Sequence, residues 1–138
     1  MLFGCSSTEP KVYSGKTPEM DIREFFNGKV EGYGYFKNRG GEVDTRYYVQ
    51  MTGKFDEDGG ELYEKFYLDD GSTNERTWKL KFTNGNNFIG TAGDIEGEAI
   101  GKQDGFAMNM KYTLNIKRKS GSTISVNMDD WIYLQPNG

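Results

Sequence analysis

The stretch MNMKYTLNIK, residues 108–117, decides the fold class of this chain. Apolar and polar residues alternate along it, and residues 43–51 repeat the alternation more loosely. A period of two places successive side chains on opposite faces of an extended strand, whereas a helix repeats every three to four residues. Both stretches are therefore predicted to be half-buried β-strands.

Turn signals rich in Gly, Asn and Asp recur along the rest of the chain. Seven turns separate eight strands, and closing an up-and-down meander of that size removes its two exposed edges. We therefore predict an all-β fold, an eight-stranded antiparallel up-and-down barrel of the lipocalin-like kind. The turn sites are residues 38–41, 58–60, 70–71, 84–85, 93–94, 104–105 and 120–121.

Two further segments refine this architecture. Residues 21–26 begin with Asp21, carry Glu24 three residues later and end before an Asn-Gly pair, which are the start and stop signals of one short helical turn. Its apolar side chains must pack against something, so we expect the turn to cover one end of the barrel. Irregularly spaced glycines in residues 90–101 predict bulges and kinks that bend the strands.

The composition narrows the range of chemistry. The chain has 17 Lys and Arg against 21 Asp and Glu, a formal charge of -4, and no long basic stretch that could neutralise phosphates, so nucleic acid is not an expected partner. It contains no His, which removes the commonest general base and zinc ligand. Its single Cys cannot form an internal disulfide. We therefore expect no enzyme activity, no metal and no cofactor.

The amino-terminal sequence LFGC, residues 2–5, is similar to the lipobox of bacterial lipoproteins, in which the Cys becomes acylated. The alternative is that Cys5 is an incidental thiol. Residues 6–11 form a polar run suited to a spacer, and Ser6 after the Cys resembles the outer-membrane sorting pattern. We expect lipidation at Cys5 and a location on the periplasmic face of the bacterial outer membrane. The predicted boundaries are 1–20 for the lipobox remnant and flexible tether and 21–138 for a single β-barrel domain.

Three ionisable side chains fall on apolar faces of the predicted strands. Parity places Arg76, Glu64 and Asp130 beside large apolar side chains. Because an isolated buried charge costs on the order of several kcal/mol, we expect these groups to pair at one barrel end, or one of them to meet a ligand. In the second case Arg76 would receive the carboxylate or phosphate of a small amphipathic molecule in an apolar cavity. The expected ligand-binding residues are Arg76, Trp78, Glu64, Asp130, Tyr47, Phe66, Phe88 and Tyr112.

The sequence thus predicts a membrane-anchored lipoprotein that binds or carries a small amphipathic molecule, and two other classes of function stay open. A carboxylate-based activity needs paired acids, for which the candidates are Asp94 with Glu98 and Asp129 with Asp130. Neighbours in a strand face opposite ways, which separates Asp129 from Asp130, and a solvated face near a turn explains the other pair. An interaction module would instead dock an envelope protein on outward aromatic side chains if these cluster, whereas scattered ones would favour a carrier. The outward set is Tyr48, Tyr63, Tyr67, Trp131 and Tyr133.

An ordered series of motifs runs through the predicted domain. They are FFNG at 25–28, MTG at 51–53, LxExF at 62–66, DG at 70–71, RxW at 76–78, GTAGD at 90–94, GxAxG at 97–101, YTL at 112–114 and DDW at 129–131. The series resembles a family of uncharacterised lipoproteins from Gram-negative bacteria. The resemblance implies lipidation and a periplasmic location, with a lipocalin-like or calycin-like architecture and no assigned activity.

Overall fold

The computed structural model describes residues 8–118 and 120–138. A 3-10 helix at Pro10–Tyr13 and helix α1 at Ile22–Phe25 precede the strands. The strands are β1 Gly28–Lys37, β2 Val43–Asp56, β3 Gly59–Leu68, β4 Thr73–Asn84, β5 Asn87–Thr91, β6 Ile95–Asp104, β7 Ala107–Lys117 and β8 Thr123–Tyr133. The predicted turn sites lie at or beside the connections between consecutive strands, and the predicted all-β fold class is confirmed.

Each strand pairs antiparallel with the next along the chain, so the sheet order runs from β1 to β8 without a crossover. The sheet curls into a half-barrel. The predicted up-and-down arrangement of eight strands is thus confirmed, but the pairing recorded for the described residues contains no ladder between β1 and β8. Asp130 faces inward on β8, opposite Met110, and an inward charge on an edge strand discourages further pairing. Within residues 8–118 and 120–138, the outer edges of β1 and β8 therefore pair with no other strand.

The glycine-rich stretch before and within β6 bends the sheet as predicted. The ladder between β6 and β7 shifts register between Glu96 and Ile100, and Gly97 lies in this bulge with a φ of 63° that favours glycine. Further along β6, a Cβ atom on Gly101 would collide with the Phe88 ring. The missing side chain lets that ring pack directly on the sheet.

Helix α1 covers one end of the half-barrel, as predicted from its sequence. The Asp21 carboxylate accepts a hydrogen bond from the backbone N–H of Arg23 at 2.9 Å and so caps the helix. The backbone N–H of Ile22 donates to Oε1 of the buried Gln103 at 3.0 Å, which ties the helix to β6. We call this end the closed end, and the opposite end, where the β3–β4 and β7–β8 hairpins turn, the mouth.

The core lies between α1 and the inner face of the sheet. It is apolar and draws on every strand from β3 to β7, so its burial supplies the main stabilisation of the fold. Its buried members are Met20, Ile22, Phe26, Leu62, Trp78, Leu80, Phe88, Ile95, Ala99, Met108, Met110 and Tyr112.

The segment before α1 is packed against the sheet. The Tyr13 ring lies 4.7 Å from the Phe106 ring, measured between centroids, and the Met20 N–H donates to the Gly105 carbonyl at 2.7 Å. Residues 10–20 therefore pack against the sheet, although the predicted β-barrel domain starts only at residue 21. The physical reason is that a few apolar side chains in this otherwise polar segment find a place on the β6–β7 hairpin.

Candidate functional site

Three charged side chains near the mouth form a group on the inner face, which we call the ion cluster: Glu64, Arg76 and Asp94. Arg76 on β4 lies directly across the ladder from Glu64 on β3, and Asp94 comes from the turn between β5 and β6. The Asp94 carboxylate accepts hydrogen bonds from Arg76 Nε at 2.9 Å and Nη2 at 2.8 Å. Arg76 Nη1 lies 3.4 Å from Glu64 Oε2. All three guanidinium nitrogens are therefore engaged within the chain.

Aromatic rings shield the ion cluster from solvent. The side chains of Arg76 and Glu64 are 16% and 13% exposed, against 38% for Asp94. The guanidinium carbon lies 5.6 Å from the centre of the Trp78 ring and 5.8 Å from that of Phe66, within cation–π range. Burial lowers the pKa of Arg76, but the hydrogen bonds that Arg76 donates to Asp94, together with the charges of Asp94 and Glu64, outweigh burial, and the pKa of Arg76 is raised. Arg76 therefore stays charged and is compensated internally.

Glu64 titrates close to neutral pH. Burial raises the pKa of Glu64 to about 7, because Arg76 and a hydrogen bond with Trp78 only partly offset the loss of hydration, while Asp94 and Asp130 add like charge. The mouth thus contains a carboxyl group that is protonated in part of the molecules near neutral pH. Such shifts occur both at functional sites and in structural ion-pair networks.

Asp130 is held apart from the ion cluster by a tyrosine. Tyr112 Oη donates to Asp130 Oδ2 at 2.7 Å, and burial together with this hydrogen bond raises the pKa of Tyr112. Burial, then the charge of Asp130, also raises the pKa of Tyr47 across the half-barrel. Arg76 and Glu64 therefore pair inside the protein, whereas Asp130 bonds to Tyr112 instead of joining them.

The acids proposed as catalytic pairs do not share a site. Asp94 binds Arg76, whereas Glu98 is exposed. Asp129 accepts a hydrogen bond from Asn109 on the outer face, while Asp130 faces inward, as parity requires. Asp94 belongs to the ion cluster, whereas the sequence indicated only a candidate pair with Glu98. The signal for it was the predicted turn at its position, which the antiparallel order brings to the mouth beside β4.

The aromatic residues expected to line a ligand cavity divide between the two ends. Tyr47 and Phe66 are half-buried at the mouth, with ring centroids 5.6 Å apart. Trp78 and Tyr112 are buried next to the ion cluster, with centroids 5.2 Å apart. Phe88 is 1% exposed and packs in the closed end. Phe88 is therefore a core residue, out of reach of a molecule at the mouth.

Two open depressions, of about 220 Å³ and about 240 Å³, lie along β1–β3 and away from Arg76. The first is lined at the mouth by residues of β2 and β3 and those that follow β3, and the second by residues of β1 and β2. Both are smaller than the ~300 Å³ at which small-molecule pockets begin. Neither offers the apolar cavity around Arg76 that a bound ligand would need.

The outer face carries two aromatic groups near opposite edges of the sheet. Tyr33, Tyr48 and Tyr67 stand side by side on β1, β2 and β3, with ring centroids 5.1 Å and 5.9 Å apart; we call them the tyrosine row. Trp131 and Tyr133 stack on β8 at 5.7 Å, and the 3-10 helix packs its tyrosine against this pair. The outward aromatic residues thus cluster, but in two groups instead of one.

The tyrosine row is the less covered of the two groups. Tyr33 is 80% exposed, against 44% for Tyr133. The Tyr48 hydroxyl donates to Glu31 Oε1 at 2.6 Å, which fixes the middle of the row. The row ends at the edge of the sheet, where no strand of the described part of the chain lies beyond Tyr33. Tyr63, the remaining predicted outward aromatic residue, is also exposed on β3.

The remaining features are the lipidation site, groups that could hold a metal ion and helices that could span a membrane. The predicted lipidation site, Cys5, is outside the described residues. Within residues 8–118 and 120–138, no group of three or more acidic or Cys side chains is placed to hold a metal ion. In the same ranges, none of the helices has the length and apolar character needed to cross a membrane.

Comparison with known proteins gives a family but no activity. The chain matches, over residues 1–138, the model of a family described as Protein of unknown function (DUF3833). No curated protein and no solved structure matched the chain. Since the family match covers its full length, the chain belongs to the family Protein of unknown function (DUF3833).

Proposed function

We propose that this protein is a lipid-anchored interaction module of the bacterial envelope that contacts another protein through the tyrosine row and the free edge of β1. The main observation is that Tyr33, at the end of a row of neighbouring rings, is 80% exposed on β1, an edge strand that pairs on one side only within the described residues. Tyr is enriched at protein interfaces, and contiguous exposed apolar groups mark interaction sites. An unpaired edge also offers backbone N–H and C=O groups to an incoming strand.

Membrane attachment is supported by the amino-terminal sequence. Residues 2–5 are similar to a lipobox, and the motif series resembles Gram-negative lipoproteins. Acylation of Cys5 would hold the domain at the outer membrane, facing the periplasm, because each buried methylene contributes ~0.8 kcal/mol. Ser6, directly after the Cys, is the residue that favours this membrane.

The half-barrel is less suited to carrying a ligand than a closed, hollow barrel. Packed side chains and α1 fill the closed end. Asp94 already lies at Nε and Nη2 of Arg76 and Glu64 lies at Nη1, so an incoming carboxylate or phosphate would compete with two carboxylates for this cation. The depressions along β1–β3 are small and open. These observations favour contact at the surface over storage inside.

One observation favours a second candidate, the binding of a small amphipathic molecule at the mouth. Tyr47 and Phe66 are half-buried beside the ion cluster, so an apolar group on these rings would lie close to a polar group at Glu64. The two candidates use different surfaces, the mouth and the outer edge. An experiment that probes the edge alone therefore separates them.

Photocrosslinking in cells tests the proposal. A photoreactive phenylalanine analogue in place of Tyr35, which is exposed on β1, should form a discrete adduct with another protein chain. The same analogue in place of Lys81, exposed in β4, is the matched control and should form none. The adduct should sediment with membranes and become soluble when Cys5→Ser is added. Mass spectrometry then identifies the crosslinked chain.

The possible results separate the parts of the proposal. Equal labelling at both positions, or no adduct from position 35, would remove the support for the β1 surface and leave the mouth as the candidate site. An adduct that stays with the membranes in the Cys5→Ser protein would contradict the anchor alone.

A further inference from the structure

β1 combines three features that point to a strand partner. It lies at an edge of the sheet that no other strand of the described part of the chain covers. It carries three exposed aromatic side chains, Tyr33 at 80%, Tyr35 at 58% and Phe36 at 55%. Its outer face also carries charges of opposite sign, Glu31 and Lys37, at the two ends of the aromatic segment. Together they describe an edge that complements itself.

We propose that β1 pairs antiparallel with β1 of a second copy of this chain, with Gly34 of one copy directly opposite Gly34 of the other. The inference rests on the proposed function, because it names the partner of the same surface. A two-fold axis through Gly34, perpendicular to the sheet, would join the two half-barrels into one continuous sheet. Such a contact is isologous and stops at a dimer.

Charge complementarity decides this register. In an antiparallel pair the numbers of facing residues have a constant sum, and an even sum keeps outer side chains opposite outer side chains. With Gly34 at the centre, Glu31 faces Lys37 of the second copy, and this pair occurs twice. Tyr33 faces Tyr35, also twice. Opposite-charge and aromatic pairs across strands stabilise a sheet, whereas facing like charges destabilise it.

Neighbouring registers lose this match. With Tyr33 at the centre, Lys29 would face Lys37 of the second copy and create a like-charge pair. With Tyr35 at the centre, the position facing Glu31 would fall beyond the end of β1. The Gly34-centred register is therefore the one of the three that pairs both charges and both tyrosines within the strand.

The side chains already have the orientation that the register needs. The Glu31 carboxylate accepts the hydroxyl of Tyr48, a member of the tyrosine row. Lys37 Nζ lies 5.5 Å from the centre of the Tyr35 ring. Both charges therefore lie on the outer face, where each would meet its counterpart across the new ladder.

The inner face of β1 contributes two glycines and the Phe36 ring to the proposed pair. Gly32 would face Phe36 of the second copy, and Gly34 would face itself. Within the chain these glycines already lie under neighbouring side chains, since a Cβ on Gly32 would be 3.1 Å from Val49 and a Cβ on Gly34 would collide with Tyr47. The exposed Phe36 ring would gain apolar cover from the pairing, which is favourable.

The second free edge does not offer the same match. β8 contains acidic residues but no basic ones, so two β8 strands could not form a pair of opposite charges. A contact from β1 of one copy to β8 of the next would place the inward Asp130 in the ladder, and it would build open chains of copies. The pair through β1 is the arrangement with complementary charges and a closed, finite size.

Sedimentation equilibrium of the full 138-residue chain, expressed without acylation, tests the pairing. We expect a reversible monomer–dimer equilibrium. Lys37→Glu places like charges opposite one another twice and should weaken the dimer about 10-fold or more, and Glu31→Lys should do the same. The double variant restores opposite charges and should bind within about 3-fold of the wild type. Lys81→Glu, a charge reversal in β4, is the matched control and should leave the dimer unchanged.

Three results would overturn the pairing: a chain that stays monomeric up to about 1 mM, assemblies that grow beyond the dimer, or a double variant as weak as the single ones. Circular dichroism of each variant verifies the fold, and either single reversal suffices if the other unfolds. If the chain is monomeric in sedimentation but position 35 crosslinks to a different protein, only the pairing of two copies is refuted. Monomers and no photocrosslink would end the proposed interaction surface as well.

Discussion

The closed end and the mouth of the half-barrel are built from the same strands but from different chemistry. At the closed end apolar side chains pack against α1, and the buried Gln103 has its amide oxygen bonded by Ile22. At the mouth Arg76 and Glu64 face inward from the same strands, and their partners compensate the burial of Arg76 but only partly that of Glu64. The closed end therefore secures the fold, and the mouth is where its stability responds to pH.

The largest effect should come from emptying the closed end. Phe88→Ala removes a fully buried ring that packs on Gly101 and should lower the free energy of unfolding by about 3–5 kcal/mol. Tyr47→Ala at the mouth is the matched truncation of a half-buried ring and should cost at most about 2 kcal/mol. Urea unfolding of both variants measures the difference. Equal losses would show that the two ends share one core.

A smaller effect should follow from removing the cation of the ion cluster. Arg76→Met leaves Glu64 and Asp94 without their counter-charge and should lower the free energy of unfolding by about 3 kcal/mol near neutral pH. The loss should shrink near pH 5, because the buried Glu64 then binds a proton and no longer needs the counter-charge. Arg46→Met breaks an exposed ion pair with Asp69 and should change stability little. A loss that does not depend on pH would contradict the electrostatic explanation.

The smallest of the three effects concerns the proton on Glu64. Its pKa in the folded protein, about 7, lies above the ordinary 4.5, so the folded state binds this proton more tightly than the unfolded state. The stability from this proton is fully present below about pH 4.5 and is lost as the pH rises through about 7. Glu64→Gln copies the protonated form, so it should be more stable than the wild type by about 1–3 kcal/mol near pH 8, with no advantage near pH 5.

Thermal or urea unfolding across this pH range checks the prediction. Glu61→Gln changes an exposed carboxylate on the same strand and serves as the control. A wild-type protein whose stability rises between about pH 5 and pH 8 would show that the coupling to Arg76 dominates over burial.

The alternation of side chains along the strands predicted which residues face inward. Particular residues show what alternation could not predict. It placed Arg76, Glu64 and Asp130 inward, because alternation is a property of each strand alone. It could not supply Asp94 as the partner of Arg76, since that contact depends on how the short β5 brings its turn to the mouth. Nor could it show that Phe88 lies deep in the closed end, because alternation gives the face but not the height along the barrel.

The number of strands followed from turn spacing, whereas the state of the edges did not. Local turn chemistry acts within a few residues, so it predicts where strands reverse. Whether β1 meets β8 depends on the cumulative curl of the whole sheet and on charges such as Asp130. The packing of residues 10–20 was hidden for a similar reason, because it rests on a few contacts with a distant hairpin.

The ion pair between Glu9 and Lys102 would also affect how a domain anchored at Cys5 is oriented at a bilayer. Glu9 is held by Lys102 at 3.0 Å, so a lipid on Cys5 would be joined to the body by a link that reaches only about 14 Å. The β6–β7 hairpin would then rest near the headgroups while the opposite end faced away from them. Confined in this way, copies of the chain would meet by lateral diffusion in two dimensions, which raises their encounter frequency even when each edge contact is weak.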